Sequence, residues 1–358
     1  MIVMNYISKK NGEMQMLVQY KWEAPELDKI WKGLYQENSY IFPYSSREYN
    51  ENIFKYKKVK PTTLFQKDYF FVYYDNSDET TPLMIIPVYV KKQCVYIFGE
   101  NISGAGNLDF IYSRYITDEQ LFSAFKELGQ YFKGMELKLY KINQRSRLYK
   151  FFENNYNTLS KLYDLKREMD RVCVKIIFPD EYEPYFQGLS RNSKSNLHKA
   201  YNKAKKTDAE MHLDVIHGPF KNKNLLSDLM RIYTKRESER KHRKRDFFPF
   251  VKHRYFSALT WAMENMDSHY TFCLFLQHRP AAFMSGFLTN FNEIVFPIVA
   301  MDSAFSHYAP GKVMISESIK YLQKNSKIRG LDLSRGDERY KLEMGGEKHY
   351  NYRFSLQY

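Results

Sequence analysis

At 358 residues, with 44% hydrophobic and 27% charged side chains, the chain is too apolar to be a disordered segment and long enough for about two domains. A formal net charge of +14 favours anionic partners such as phosphates, nucleic acid, acidic lipid surfaces or a nucleotide cofactor, and says nothing about fold. Cys94, Cys173 and Cys273 are odd in number, far apart and set in apolar runs. They point to buried thiols in a reducing compartment and exclude a disulfide framework. No run of about 18 apolar residues is available to cross a membrane, and the first residues lack a signal-peptide core. A cytoplasmic protein is the expectation.

In chain order, "PELDKIWKGLYQEN" (25–38) predicts a helix. Three strands are expected at Tyr69–Asp75, Leu83–Val90 and Cys94–Gly99, joined by short polar turns as in an antiparallel meander. After the Gly-rich bend "ENISGAGNLDF" comes a helix capped at Thr117 or Asp118, with Leu121, Phe125, Leu128 and Phe132 on one stripe. The strand "MELKLYKI" closes this block. The same order returns later: strands at Tyr270–Leu276, Ala281–Leu288 and Ile294–Asp302, a polar bend, a helix over Lys312–Asn325, and the strand "RGLDLSRG". A repeated order of elements predicts two similar mixed α/β domains, placed at 1–165 and 166–358. Between 175 and 265 the second domain is expected to be mostly helical, including "LSRNSKSNLHKAYNKAKK" (Leu189–Lys206) with its thin apolar stripe and basic circumference.

Two stretches carry chemistry. In "AFSHYAPGKVMISES", Pro310 and Gly311 fall where a helix starts, so that exposed N–H groups and the positive end of the helix dipole offer an anion site. Lys312 is odd there, because a cation in the first turn opposes the dipole unless an anion is close by. In "LDLSRGDERYKLEMGG" (331–346) an apolar strand opens into Arg335, Asp337, Glu338, Arg339, Tyr340 and Lys341 before two glycines. Such a cluster fits either a salt-bridged surface turn or a catalytic loop at a strand end.

These pieces, with "LSRNSKSNLHKA" (Leu189–Ala200) and "RPAAFMSGF" (Arg279–Phe287), resemble the acetyltransferase-domain family named after the cellulose-biosynthesis CelD protein. That family lies within the GCN5-related N-acetyltransferase (GNAT) superfamily. The resemblance implies two tandem GNAT-like acyl-CoA N-acyltransferase domains. It also implies direct transfer of an acyl group, acetyl in the expected case, from acyl-CoA to an amine or hydroxyl of a sugar, glycolipid precursor or peptide. The donor would lie at Tyr308, Ala309, Pro310, Gly311, Lys312 and Val313, where the superfamily's Q/R-x-x-G-x-G/A run is replaced by "SHYAPG". Asp337 or Glu338 would act as base, with Asp302 and His307 as rivals, and Tyr340 would protonate the leaving group. Arg335, Lys341, Arg191 and Lys194 would meet an anionic acceptor.

The tandem build is also similar to the Fem-type aminoacyltransferases, which leaves an aminoacyl-tRNA donor as the alternative. A non-catalytic protein on the same fold is a third reading. "RNSKSNLHKAYNKAKK" and "RKHRKR" (240–245) are basic, but Tyr201 is the only aromatic interleaved in the first, and no nucleic-acid motif is present. Nucleic acid is therefore expected only in the tRNA alternative. The glycines of 99–106 match neither a P-loop nor a dinucleotide fingerprint. The nine histidines show no ligand spacing, so no metal site is expected.

Overall fold

The computed structural model describes residues 16–59, 66–75, 80–101, 105–240 and 258–358. They divide into two compact units, 1–171 with Tyr350–Tyr358, and Val172–His349. The last nine residues, which chain order places in the second domain, thus cluster with the first unit. Both units are mixed α/β.

The first unit orders its strands β1(Leu17–Tyr20), β2(Lys67–Tyr74), β3(Pro82–Lys91), β4(Cys94–Ile97), β6(Glu136–Asn143) and the end of β13(Glu347–Gln357), with the short β5(Ile111–Tyr112) on β3. All neighbours are antiparallel except β4 and β6, which run parallel. Helices α1(Pro25–Glu37), α2(Arg47–Val59), α3(Asp118–Tyr131), α4(Arg147–Asn154) and α5(Tyr156–Tyr163) complete it. The stripe expected on α3 is buried. Thr117 caps that helix in a full capping box with Gln120, so its first N–H groups are already satisfied.

The second unit orders β7(Lys166–Ile177), β12(Gly330–Arg335), β11(Glu293–Met301), β10(Arg279–Leu288), β9(His269–Leu276) and β8(Met211–His217). Here too one pair, β11 with β12, is parallel and the rest are antiparallel. The helices are α6(Tyr182–Gly188), α7(Arg191–Lys206), α8(Lys223–Arg240), α9 (258–265), α10(Pro310–Asn325) and the short α11(Arg339–Glu343). The core joins Leu197 and Ala200 of α7, Val313, Ile315 and Ile319 of α10, and Phe272, Met284, Phe296 and Leu331 of the sheet.

Four strands were not expected from the sequence, β1, β5, β8 and β13. The stretch expected to be mostly helical carries α6 to α9 and one added strand, β8, whose "MHLDVIH" alternates too weakly to stand out and is fixed by seven pairings to β9. The cluster "RKHRKR" lies outside the described residues apart from Arg240, and so do 102–104 of the Gly-rich bend. Cys173 and Cys273 are buried, whereas Cys94 is half-buried.

In the first unit Asp109 is 5% exposed, and its carboxylate accepts from the Phe110 N–H at 2.8 Å and the Tyr112 hydroxyl at 2.6 Å. Burial nevertheless pushes its carboxyl up to about 7. The folded state therefore keeps the proton up to about pH 7, while the unfolded chain releases it near pH 4. Stability should fall as pH rises through that window, and urea titrations should show a shallower fall for Asp109→Asn.

Candidate active site in the second unit

The parallel pair β11 and β12 bond at only three positions, Glu293–Gly330, Ile294–Leu331 and Val295–Asp332. Beyond them β11 continues to Met301 along β10, and β12 continues to Arg335 along β7. The two strands therefore splay, and the candidate residues stand at or just past the ends of both.

On the β11 side, the chain enters a 3-10 turn, Ser303–Tyr308, capped by Asp302, whose carboxylate accepts from the Ala304 N–H at 3.1 Å. Lys235 of α8 lies 2.9 Å from the same carboxylate. Opposed by partial burial, Lys235 and the capped N–H hold Asp302 below the usual carboxylate range. His307 is exposed, with its ring 4.2 Å from that of Tyr308. Tyr308 is buried and its hydroxyl meets Thr207 of α7 at 3.0 Å. Ala309 then takes a left-handed conformation, φ +47°, and α10 starts at Pro310.

The anion site expected at this helix start is narrower than the sequence implied. Pro310 has no N–H, and the N–H groups of Lys312 and Val313 both return to the Ala309 carbonyl, at 3.0 and 3.2 Å. The Gly311 N–H alone is left without a protein acceptor among the described residues. A Cβ built on Gly311 would sit 2.9 Å from the Met301 Cε and 3.9 Å from the Tyr340 ring, so these three residues meet. Lys312 is not paired through its dipole conflict with a ligand anion; Glu343 supplies the negative charge at 2.6 Å. That ion pair holds Glu343 below the carboxylate range, with Arg339 adding to it at 2.8 Å.

On the β12 side, Lys341 is corrected from acceptor contact to internal tie. It is 2% exposed, and its ammonium donates to the carbonyls of Leu333, Arg335 and Gly336 at 2.9, 3.0 and 3.0 Å, while Glu338 approaches to 3.0 Å. Burial lowers its pKa against the pull of Glu338. Gly346 is needed beside it, because a Cβ there would lie 2.6 Å from the Lys341 carbonyl. The α11 turn is clamped further by Ser193 of α7, donating to the Glu343 carbonyl at 2.7 Å, and by Tyr185 of α6, donating to the Met344 carbonyl at 2.9 Å.

Asp337 is exposed and bound to Lys348 at 2.6 Å, which lowers its pKa. Arg335 and Arg191 are exposed and make no ion pair among the described residues. Lys194 donates to the Gln187 carbonyl at 3.2 Å. The sequence predicts a helix here from the stripe Leu225, Leu229 and Ile232, but gives it no part in the site; α8 brings Lys235 to Asp302, Glu239 to Ser303 and Arg236 to the Val299 carbonyl. A cavity of about 420 Å³ between α7 and α10 contains none of the predicted site residues, and its Glu317 and Lys320 neutralise each other at 2.7 Å.

Against known proteins, residues 191–342 match the family profile described as Acetyltransferase (GNAT) domain. The match lies within the second unit. Solved structures with a similar fold include FemX, at 10% identity and TM-score 0.60, covering 92% of this chain and 96% of that one. A tandem GNAT protein from the clavulanic acid biosynthesis pathway aligns at 8% identity and TM-score 0.53 over 95% and 98%. The C-terminal domain of a putative lysylphosphatidylglycerol synthetase from Agrobacterium fabrum aligns at 8% identity and TM-score 0.52 over 93% and 92%. At such identities the likeness is one of fold. No curated protein sequence matches, and no helix among the described residues is long and apolar enough to cross a membrane.

The tie made by Lys341 has a measurable consequence. Lys341→Met strands three carbonyls and the Glu338 carboxylate, and should cost about 3 kcal/mol in urea denaturation. Lys348→Met removes an exposed pair and should move the midpoint far less.

Proposed function

We propose that the chain is an acyltransferase whose donor is acyl-CoA, in the expected case acetyl-CoA, and whose acceptor is an amine or hydroxyl of a sugar, glycolipid precursor or peptide. The observation that carries this reading is the splay of β11 from β12 with Gly311, Met301 and Tyr340 meeting at its mouth. The donor's phosphates would be held at Tyr308–Val313, chiefly by the open Gly311 N–H, and its thioester supplies the activated acyl group. Tyr340, lying against Gly311, is placed to give up its phenolic proton there.

Of the four candidate bases, Asp337, Glu338 and Asp302 are each tied to a lysine, at 2.6, 3.0 and 2.9 Å. Those carboxylates are better suited to holding a cationic acceptor than to taking its proton. His307 makes no ion pair among the described residues, and an imidazole nitrogen is the commonest side-chain proton acceptor in catalysis. We therefore assign His307 as the base, with Arg335 and Arg191 meeting negative charge on the acceptor. A CelD-like, cytoplasmic, tandem enzyme with domains near 1–165 and 166–358 is part of the same proposal.

In the first unit the corresponding parallel pair is closed by its own chain. β4 and β6 pair at Cys94–Glu136, Val95–Leu137 and Tyr96–Lys138, and Leu108 then bridges to Ile142 and bonds Lys141. One donor per chain is the expected stoichiometry.

A second reading is favoured by α7, which exposes His198, Lys199, Lys203, Lys205 and Lys206 while Leu197, Ala200 and Ala204 are buried. This face suits a polyanionic donor such as aminoacyl-tRNA, whose binding would weaken steeply with salt. Calorimetric titration with acetyl-CoA and CoA separates the two. The acyl-CoA reading expects one site per chain, lost in Gly311→Glu with the melting temperature retained, since Met301 can yield to the new side chain. Binding of tRNA without any CoA binding would replace it. With an acceptor in hand, His307→Ala should lower turnover about 100-fold, and an unchanged rate would remove His307 from the role of base.

A further inference from the structure

Ser334 is the residue that the site keeps in an uncomfortable state without using it internally. It is 7% exposed, and its hydroxyl finds no protein partner among the described residues. Its φ of +52° lies in the left-handed region that serine seldom adopts. It also lies two residues past Asp332, the last position at which β12 pairs with β11, within a bulge of the β12–β7 ladder.

The backbone around it is fixed from several directions. The Ser334 N–H donates to the Asp332 carboxylate at 2.8 Å. That carboxylate is approached at 3.2 Å by His349, both side chains being almost fully buried. The carbonyls on either side, of Leu333 and Arg335, are held by Lys341, as is that of Gly336, whose own N–H bonds the Val172 carbonyl. Backbone strain of this kind persists where the surroundings over-determine it, and it gathers at functional positions. A buried hydroxyl with no internal partner is costly unless a ligand meets it.

We propose that Ser334 is a positioning residue whose hydroxyl donates a hydrogen bond to a carbonyl oxygen of the bound acyl donor. This rests on the acyl-CoA reading above. The Asp332–His349 pair and Lys341 act through Ser334 by holding its backbone, and none of them needs to touch the ligand.

The test compares wild type, Ser334→Ala and Ser334→Gly by thermal melting and by calorimetric titration with acetyl-CoA and with CoA. Alanine removes the unpaired hydroxyl and glycine also relieves the left-handed strain, so neither variant should melt below wild type, and glycine should melt above it. Both should bind the donor about five- to tenfold more weakly, the loss of one hydrogen bond. Weakening for both ligands places the bond on an amide carbonyl of the CoA arm, and weakening for acetyl-CoA alone places it on the acyl carbonyl. Wild-type affinity in both variants, whatever their melting temperatures, overturns the proposal and leaves the acyl-CoA reading standing. Failure of wild type itself to bind either ligand removes the acyl-CoA reading, and the role of Ser334 falls with it.

Discussion

The ammonium of Lys341 is withdrawn from water and divided among three carbonyls and one carboxylate, and the site of the second unit is built around that arrangement. A buried lysine is expensive unless every donor is satisfied, so the backbone from Leu333 to Gly336 must curl until its carbonyls face one point. Two residues of that curl, Ser334 and Gly336, take left-handed φ values of +52° and +97°. Glycine adopts this freely and serine does not, and the difference is carried by the same lysine. The polar crowding that follows β12 is thus two layers. An inner layer of Lys341, Glu338 and Asp332 shapes the turn, and an outer layer of Arg335, Asp337 and Tyr340 is presented by it.

The same logic decides what the start of α10 can hold. A lysine in a first helical turn needs a nearby negative charge, and Glu343 provides it from α11. Because Ser193 and Tyr185 grip the backbone of α11 just there, the helix start, the α7 N-terminus and the β12 turn form one connected set. A change at Lys312 should therefore be felt at Tyr340 through Glu343, before any ligand is considered. The first unit spends comparable polar material differently. Asn107, Asn143 and Asn351 bond one another in the interior, and Leu108 lies on the far end of β6. One strand order thus yields an open splay in one unit and a closed one in the other.

Much of both units was legible because their signals are local. Leu121, Phe125 and Leu128 mark a helix by spacing, the meander strands by apolar runs between turns, and Pro310–Gly311 a helix start by the chemistry of those two residues. The paired residues of the "RGDERYK" stretch were found, but their roles were not. Lys341 and Asp337 look alike in sequence, yet one is 2% exposed and the other sits in solvent, because burial depends on which carbonyls the distant strand ends bring near. Ser334 and His349 gave no signal at all. The first stands out by its backbone angle and its unpartnered buried hydroxyl, and the second by meeting Asp332 from seventeen residues away in the chain. The last residues were placed in the second domain by chain order, whereas Asn351 bonds Asn143, over two hundred residues upstream in the first unit.

Charge supplies the last constraint on mechanism. Lysines hold Asp302 and Asp337 below the usual carboxylate range, and the cation beside Glu338 is itself buried. A group held anionic in this way contributes attraction to an approaching cation and little driving force for taking its proton. On the proposed reading, proton removal falls to a side chain not already paired with a lysine, and His307 sits on the turn that links the end of β11 to α10. In the proposed reaction the carboxylates would draw an amine acceptor in and the imidazole would prepare it to attack.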